Sequence, residues 1–217
     1  MLNDEEFKIR ITHREEPGQY TWLALPTSAE AIHKALESIN ALPGRELPAP
    51  YFISGALVPI DELQAVLRQS DRIDDINELA ARVVGLSEFE RETVAAALRV
   101  DAYPTVNDVY DLTLNVDYYC LIPEAGNDTQ LGRYYLYQSG MVDMPEEWKA
   151  GIDAHDFGAH IREQEKGHFT LHGYLIKSGD EWQAHKGREH GPELSGSKQP
   201  PAKEKPHKER KHGGPER

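Results

Sequence analysis

The 217 residues contain one cysteine, Cys120. A lone thiol excludes an intramolecular disulfide framework and any zinc site built from four cysteines. Its apolar surroundings, Tyr118-Tyr119-Cys120-Leu121-Ile122, point to a small core residue. Long apolar runs are missing too: none approaches the ~20 residues needed to span a bilayer. The acidic start, Met1-Leu2-Asn3-Asp4-Glu5-Glu6, lacks the apolar stretch of a secretory signal. The expected protein is soluble and cytoplasmic, with no membrane contact. Catalytic signatures are absent as well. There is no phosphate-cradling glycine loop, no G-x-G-x-x-G, no G-x-S-x-G and no H-E-x-x-H, and no cofactor is expected.

Positive charge is also in short supply. The chain has 24 Lys/Arg against 37 Asp/Glu, and residues 185–217 take nine of the former and only five of the latter. Residues 1–184 are left with 15 basic and 32 acidic groups, a net charge of −17. Such a body repels phosphate, membrane headgroups and nucleic acid, so direct nucleic-acid binding by the folded part is not expected. It attracts proteins whose own surfaces are built to hold those ligands.

What is present reads as an α+β fold. Residues 7–12 alternate like a half-buried strand, Glu16-Pro17-Gly18 supplies a turn, and Tyr20 to Leu25 form a second strand. Thr27-Ser28-Ala29-Glu30 reads as a capping box, with Thr27 as the cap, for a helix whose inner face is Ala29, Ile32, Leu36 and Ile39. Pro43-Gly44 stops it, and a third strand follows over 51–57. Residues 60–100 read as three helices without strands. The first is marked by Leu63, Val66 and Leu67, and the second by Ile73, Ile76, Leu79, Ala80 and Val83. The third is opened by the box Ser87-Glu88-Phe89-Glu90, with Phe89, Val94, Ala97 and Leu98 inward. Then come a helix at 105–114, an aromatic strand at 116–122, a loop at Asn127-Asp128 and a segment over 131–137. A helix over 152–164 and a final strand over 168–176 complete the pattern. The expected domains are 1–59 (α+β), 60–103 (helical) and 104–178 (α+β). A basic tail, 179–217, is too poor in apolar residues to order itself.

The nearest approach to a metal site is His155, Asp156, His160, His168 and His172. His168 and His172 would share one face of a strand, which would support a metal-dependent hydrolase. The two helical histidines, however, are five apart and well round the helix from each other. Surface or hydrogen-bonded histidines are the preferred reading.

Many carboxylates have structural explanations. Glu30 and Glu90 complete capping boxes, and Asp61, Glu62, Asp74, Asp75 and Glu88 fall in first turns. Glu78 precedes Arg82 by four residues, the supportive orientation. Yet Asp71, Asp74, Asp75 and Glu78 recur at spacings of three and four, as do Glu88 and Glu92. Like charges on one helix face cost roughly 0.2–0.5 kcal/mol per pair. The surplus is spread along the body, whereas a catalytic pair needs one pocket with two distinct environments. Duplex DNA carries two charges per base pair, so 32 carboxylates per chain, doubled in a dimer, match at most about 32 base pairs.

Short segments in a particular order add a resemblance. They are Tyr20-Thr21-Trp22-Leu23-Ala24-Leu25-Pro26, Ile76-Asn77-Glu78-Leu79-Ala80, and Leu112-Thr113-Leu114-Asn115 with Asp117-Tyr118-Tyr119. Leu131-Gly132-Arg133-Tyr134, Ile152-Asp153, Gly167-His168-Phe169-Thr170 and Gly173-Tyr174 complete the set. Over about residues 7–176 the chain resembles the ArdA antirestriction proteins. The resemblance implies an elongated chain of three small domains, a homodimer formed through the C-terminal part, and imitation of bent B-form DNA. It implies no catalysis and occupation of the DNA-binding groove of type I restriction–modification enzymes. On this reading the phosphate mimics are Asp71, Asp74, Asp75, Glu78, Glu88 and Glu92. Asp143, Glu146 and Glu147 form a second group that serves the partner surface or the dimer contact. The basic tail from His185 departs from the family pattern. A generic acidic interaction module is the remaining alternative.

Overall fold

The computed structural model describes residues 6–44, 48–68, 70 and 72–183. The described residues fall within one compact unit, and residues 185–217 lie outside them. The first elements follow the period-2 pattern. Strand β1 (Phe7–His13) buries Phe7, Ile9 and Ile11. It lies between β2 (Tyr20–Leu25) and β3 (Tyr51–Leu57) in an antiparallel sheet of order β2-β1-β3. Arg10 faces Trp22 on one side and Gly55 on the other, and a register irregularity follows at Arg10/Ile11. Arg14 ties down the approach to β3, its guanidinium donating to the carbonyls of Ala49 (2.9 Å) and Tyr51 (3.0 Å).

Helix α1 (Ala29–Ser38) turns Ile32 and Leu36 into the core. Its cap is Ser28, whose hydroxyl accepts from the Ala31 N–H, and not Thr27 as the sequence suggested. Thr27 is otherwise engaged. Its N–H donates to Asn77 Oδ1 at 2.7 Å, and its carbonyl accepts from Asn77 Nδ2 at 3.0 Å. A partner fifty residues away shifts the cap by one position.

The helical stretch comprises α2 (Leu63–Leu67), α3 (Ile73–Val84), α4 (Glu88–Val100) and α5 (Val106–Leu114). In α3, Ile73, Ile76, Leu79, Ala80 and Val83 form the expected inner stripe. Arg82 donates at 2.9 Å to the Thr113 carbonyl at the end of α5. Helix α4 departs from a simple amphipathic pattern. Five consecutive residues, Thr93 to Ala97, are buried, so the helix is enclosed on all sides for more than a turn. Its alanines let neighbours approach closely. The Ser87–Glu90 capping box forms as expected, and its two hydrogen bonds hold the Glu90 carboxyl below its usual pKa. Phe89, expected inward, is 51% exposed because burial begins only at Thr93.

Downstream, the expected strand at 116–122 begins as a 3-10 turn, Val116–Tyr118, and becomes β4 (Tyr119–Ile122). Asn127 is a helix cap and not a loop marker: its side chain accepts from the Gln130 N–H and opens α6 (Asp128–Tyr137). A short α7 (Glu146–Lys149) precedes α8 (Ala154–Glu165), capped by Asp153. The expected strand 168–176 is a hairpin, β5 (His168–Thr170) and β6 (Gly173–Lys177). Gly173 makes the reversal possible: its φ is +124°, and a Cβ there would lie 2.4 Å from the Ile122 carbonyl oxygen. The second sheet runs β4-β6-β5, all antiparallel. Cys120 lies on its outer face, exposed and not in the core, because Tyr119 and Leu121 take the inward positions of β4.

One hydrophobic cluster runs from Phe7 through α3 and α4 to Leu175, so both sheets share it. A smaller cluster holds Ile122, Leu131, Tyr135 and Tyr174 under α6 and α8. Those two helices meet backbone to backbone at glycines. A Cβ on Gly132 would come 1.9 Å from the Ala154 carbonyl oxygen, and one on Gly158 1.9 Å from that of Asp128. Arg162 locks the pair through Asp128 at 2.8 Å.

Residues at the start of the expected tail make contacts with the fold. Trp182 packs edge-on against Tyr118, ring centroids 5.2 Å apart, and lies 6.4 Å from Tyr103. The Gln183 backbone exchanges two hydrogen bonds with the buried Asn115 side chain, at 2.9 and 3.0 Å. A tryptophan and an asparagine clamp give residues 179–183 the contacts that their composition did not promise. The remaining tail lies outside the described residues.

Two outcomes test this packing. Gly132→Ala should destabilise the fold by about 1–3 kcal/mol or more through backbone overpacking. Gly18→Ala, with nothing within 4 Å of its Cβ, should change little; chemical denaturation of both variants measures the contrast. Tyr119 donates to Asp101 and shares a 2.7 Å hydrogen bond with Tyr103. Burial first, then these bonds, push its pKa well above the usual tyrosine range. The stabilisation is complete below the ordinary tyrosine pKa of ~10 and is lost as pH rises beyond it. Melting temperature should therefore fall above pH ~10, and the deficit of Tyr119→Phe relative to wild type should shrink over the same range.

Candidate functional site: the carboxylate surface

Where the nominated carboxylates lie follows from their helices. The i, i+4 pair Asp74 and Glu78 is exposed on α3. Asp75 turns partly inward, its side chain 16% exposed, and is paired with Arg72 at 2.8 Å. Asp71 lies outside the described residues. On α4, Glu88 is exposed and Glu92 half-buried one turn on.

These two α4 residues line a groove of about 660 Å³, together with Asp61, Glu62, Arg91 and His172. The groove floor is organised by Glu62. Its carboxylate, 12% exposed, takes Arg99 of α4 at 2.6 Å and lies 3.9 Å from His172 Nε2 in the β5–β6 turn. One largely buried carboxylate thus joins the approach to α2, the helix α4 and a hairpin tip. The sequence showed Glu62 only as a first-turn acid, and a pair 37 residues apart leaves no periodic signal.

Asp143, Glu146 and Glu147 are all exposed on the segment around α7, with Lys149 3.2 Å from Glu146. The structure also exposes Glu30, Glu37, Glu124 and Glu163. Sequence reasoning had not singled these out for the surface. Glu30 was assigned to a capping box; with the cap moved to Ser28 it falls one position short of that role and faces solvent. The nominated residues are therefore not gathered into one pocket. They are dispersed over α3, α4 and the α7 segment. Such an arrangement presents negative charge over several elements.

The histidine group does not converge. His155 is exposed in the first turn of α8, beside the Asp153 cap. His160 Nε2 lies 3.0 Å from the Gln164 amide. His168 is exposed on β5 opposite Leu175, and His172 sits in the following turn near Glu62. The hairpin removes the common strand face expected for the last two. Among the described residues no group of three His, Cys, Asp or Glu side chains could hold a metal ion. Among them also, no helix is long and apolar enough to cross a membrane.

The surface and structural carboxylates should respond differently to neutralisation. Glu62→Gln removes the anion facing Arg99 and His172 and should cost roughly 1 kcal/mol, a partly exposed ion pair being worth less than a buried one. Asp74→Asn relieves like-charge repulsion with Glu78 but also gives up a favourable first-turn charge of similar size, and should be neutral within about 0.5 kcal/mol. Urea titrations at low ionic strength compare the two.

No curated protein matches the chain. A family profile described as antirestriction protein (ArdA) matches residues 19–176, that is 158 of 217 residues. The matched span runs from the end of the first turn to β6 and contains every nominated carboxylate. The chain belongs to the ArdA antirestriction protein family.

Proposed function

We propose that this protein occupies the DNA-binding groove of type I restriction–modification enzymes by presenting its carboxylates in place of B-form phosphates, and so protects incoming mobile DNA. The observation that carries the reading is the combination of family membership with a body of net charge −17 whose acids are dispersed on the surface. Binding then exchanges one polyanion for another in a groove lined by Lys/Arg. Asp74, Glu78, Glu88, Asp143, Glu146 and Glu147 are the exposed members of the proposed array. Glu92 and Asp75 contribute less, being half-buried, and Asp71 joins the array on its sequence spacing. The 1–59, 60–103 and 104–178 segments act as successive modules that spread this charge, and no catalytic step is involved.

A homodimer through the C-terminal part would double the array. Its proposed surface is the segment carrying Tyr137, Met141 and Trp148, which are 48%, 73% and 70% exposed. Lys149 Nζ lies 5.8 Å from the Tyr137 ring, which places α7 beside the end of α6. A contiguous patch of exposed apolar side chains marks an interaction surface, and these three are proposed to form one.

Two measurements test the proposal. In competition for a purified type I enzyme bound to labelled target DNA, the protein should displace the DNA, and less well at about 200 mM than at about 50 mM salt. An exposed ion pair contributes about 0.2–1 kcal/mol, so Glu88→Gln alone should weaken displacement by no more than about fivefold. Neutralising all six exposed acids should abolish it. No displacement from several such enzymes would leave a generic acidic module instead. For the dimer, Trp148→Glu should convert the sedimenting species to monomer without lowering the melting temperature.

A further inference from the structure

The outer face of the first sheet is unlike the rest of the surface. Between Phe7 and Arg14 the chain has three basic residues and no acidic one. Pairing places Lys8, Arg10 and Thr12 of the central strand opposite Ala24, Trp22 and Tyr20 of β2. On the other side Thr12 faces Phe52 of β3. Residues directly opposite share a face. Aromatic rings from both edge strands therefore stand on the side away from the core, with cations among them. Tyr20 and Trp22 are 50% and 45% exposed, and Phe52 is half-buried.

The cations are engaged with rings and backbone more than with acids. The Arg10 guanidinium lies 3.9 Å from the centroid of Tyr20. Its Nε is buried without a hydrogen-bond partner, so packing holds the group in place. Arg14 lies 5.9 Å from the Phe52 ring, and its hydrogen bonds go to neutral carbonyls. Neither guanidinium has an ion pair among the described residues. Lys8, by contrast, is paired with Glu6. Gly55 keeps the face flat beside Arg10: the Trp22 indole edge comes 3.8 Å from where its Cβ would be.

We infer that this face is a stacking platform for a short single-stranded nucleic acid. Unpaired bases can lie on Tyr20, Trp22 and Phe52, while Arg10 and Arg14 meet the phosphates. A duplex cannot use the face, because its bases are already stacked. Salt confines the body's repulsion to short range, the Debye length being about 8 Å at physiological salt, so carboxylates farther than that from the face oppose a bound strand little. Size favours this ligand over a protein. The face is about 10 Å between the outer two strands and about 20 Å along them, roughly 200 Å², far short of the ~800 Å² per partner of a standard protein interface. The inference does not rest on the restriction-enzyme proposal.

The test is fluorescence anisotropy of the full chain with labelled ten-residue oligo-deoxythymidine at about 50 mM salt, beside a duplex of equal length. Wild type should bind the single strand and prefer it to the duplex. Tyr20→Ala with Trp22→Ala should weaken binding about tenfold or more, and Trp22→Phe by no more than about threefold. Indole quenching on oligonucleotide addition should be present in wild type and largely lost in Trp22→Phe. This readout holds even if the double variant fails to fold. Absence of binding, duplex preference, or affinity and quenching that ignore these substitutions (the mark of attraction to the basic tail) would overturn the inference.

Discussion

Neither three-stranded sheet in this protein can bury its inner face alone, and the enclosed stretch of α4 resolves that constraint. Thr93 to Ala97 are all buried, and α4 packs against β4, β5 and β6. The first sheet is covered by α1, α2 and α3, and a single cluster continues from there through α4 to the second sheet. Small side chains make this possible, since a wider residue at Ala96 or Ala97 would push neighbouring elements apart. Because the interior is shared, apolar positions are claimed from one end of the unit to the other, and charge is left to the surface.

Polar side chains serve the junctions, from the buried Asn115 to the exposed Arg14 and Arg82. Asn77 satisfies both backbone groups of Thr27, Asn115 both those of Gln183, and Arg82 the Thr113 carbonyl. Arg14 serves the carbonyls before β3 in the same way. Buried backbone groups without such partners would cost about 1–3 kcal/mol each. These assignments have an electrostatic consequence. Arg14 and Arg82 spend their hydrogen bonds on neutral carbonyls, while Arg99 and Arg162 each take a carboxylate that is already partly buried. A body with only 15 basic residues therefore keeps a predominantly negative surface.

That division separates two kinds of carboxylate. Glu62, Asp75 and Asp128 are structural, each held by an arginine at 2.6–2.8 Å. Asp74, Glu88, Asp143 and Glu147 face solvent and carry the charge that a basic groove would meet. The first sheet stands apart from both. Its outer face is aromatic and cationic, a chemistry that suits unpaired bases and phosphates and not the duplex that the rest of the surface is proposed to imitate.

Helix α3, the pairing of β1 with β2 and the Ser87 capping box were legible because each depends on local spacing or on a turn. The acidic body and the absence of a catalytic motif needed no coordinates either, since they are properties of composition. Long-range partners were not legible. Asn77 moved the α1 cap to Ser28, Trp182 and Asn115 held residues beyond the expected end of the fold, and a positive φ at Gly173 folded one expected strand into a hairpin. Phe89 is exposed although its spacing is right, because spacing does not tell how far the neighbours extend, and Cys120 is exposed because an unbroken apolar run hides which residues of β4 face inward. The sequence by itself determined the charge and the periodic elements, both set by residue identity and near neighbours. Only the tertiary structure decided which acids are paired and which face solvent, because that depends on cations and backbone groups brought together from distant parts of the chain.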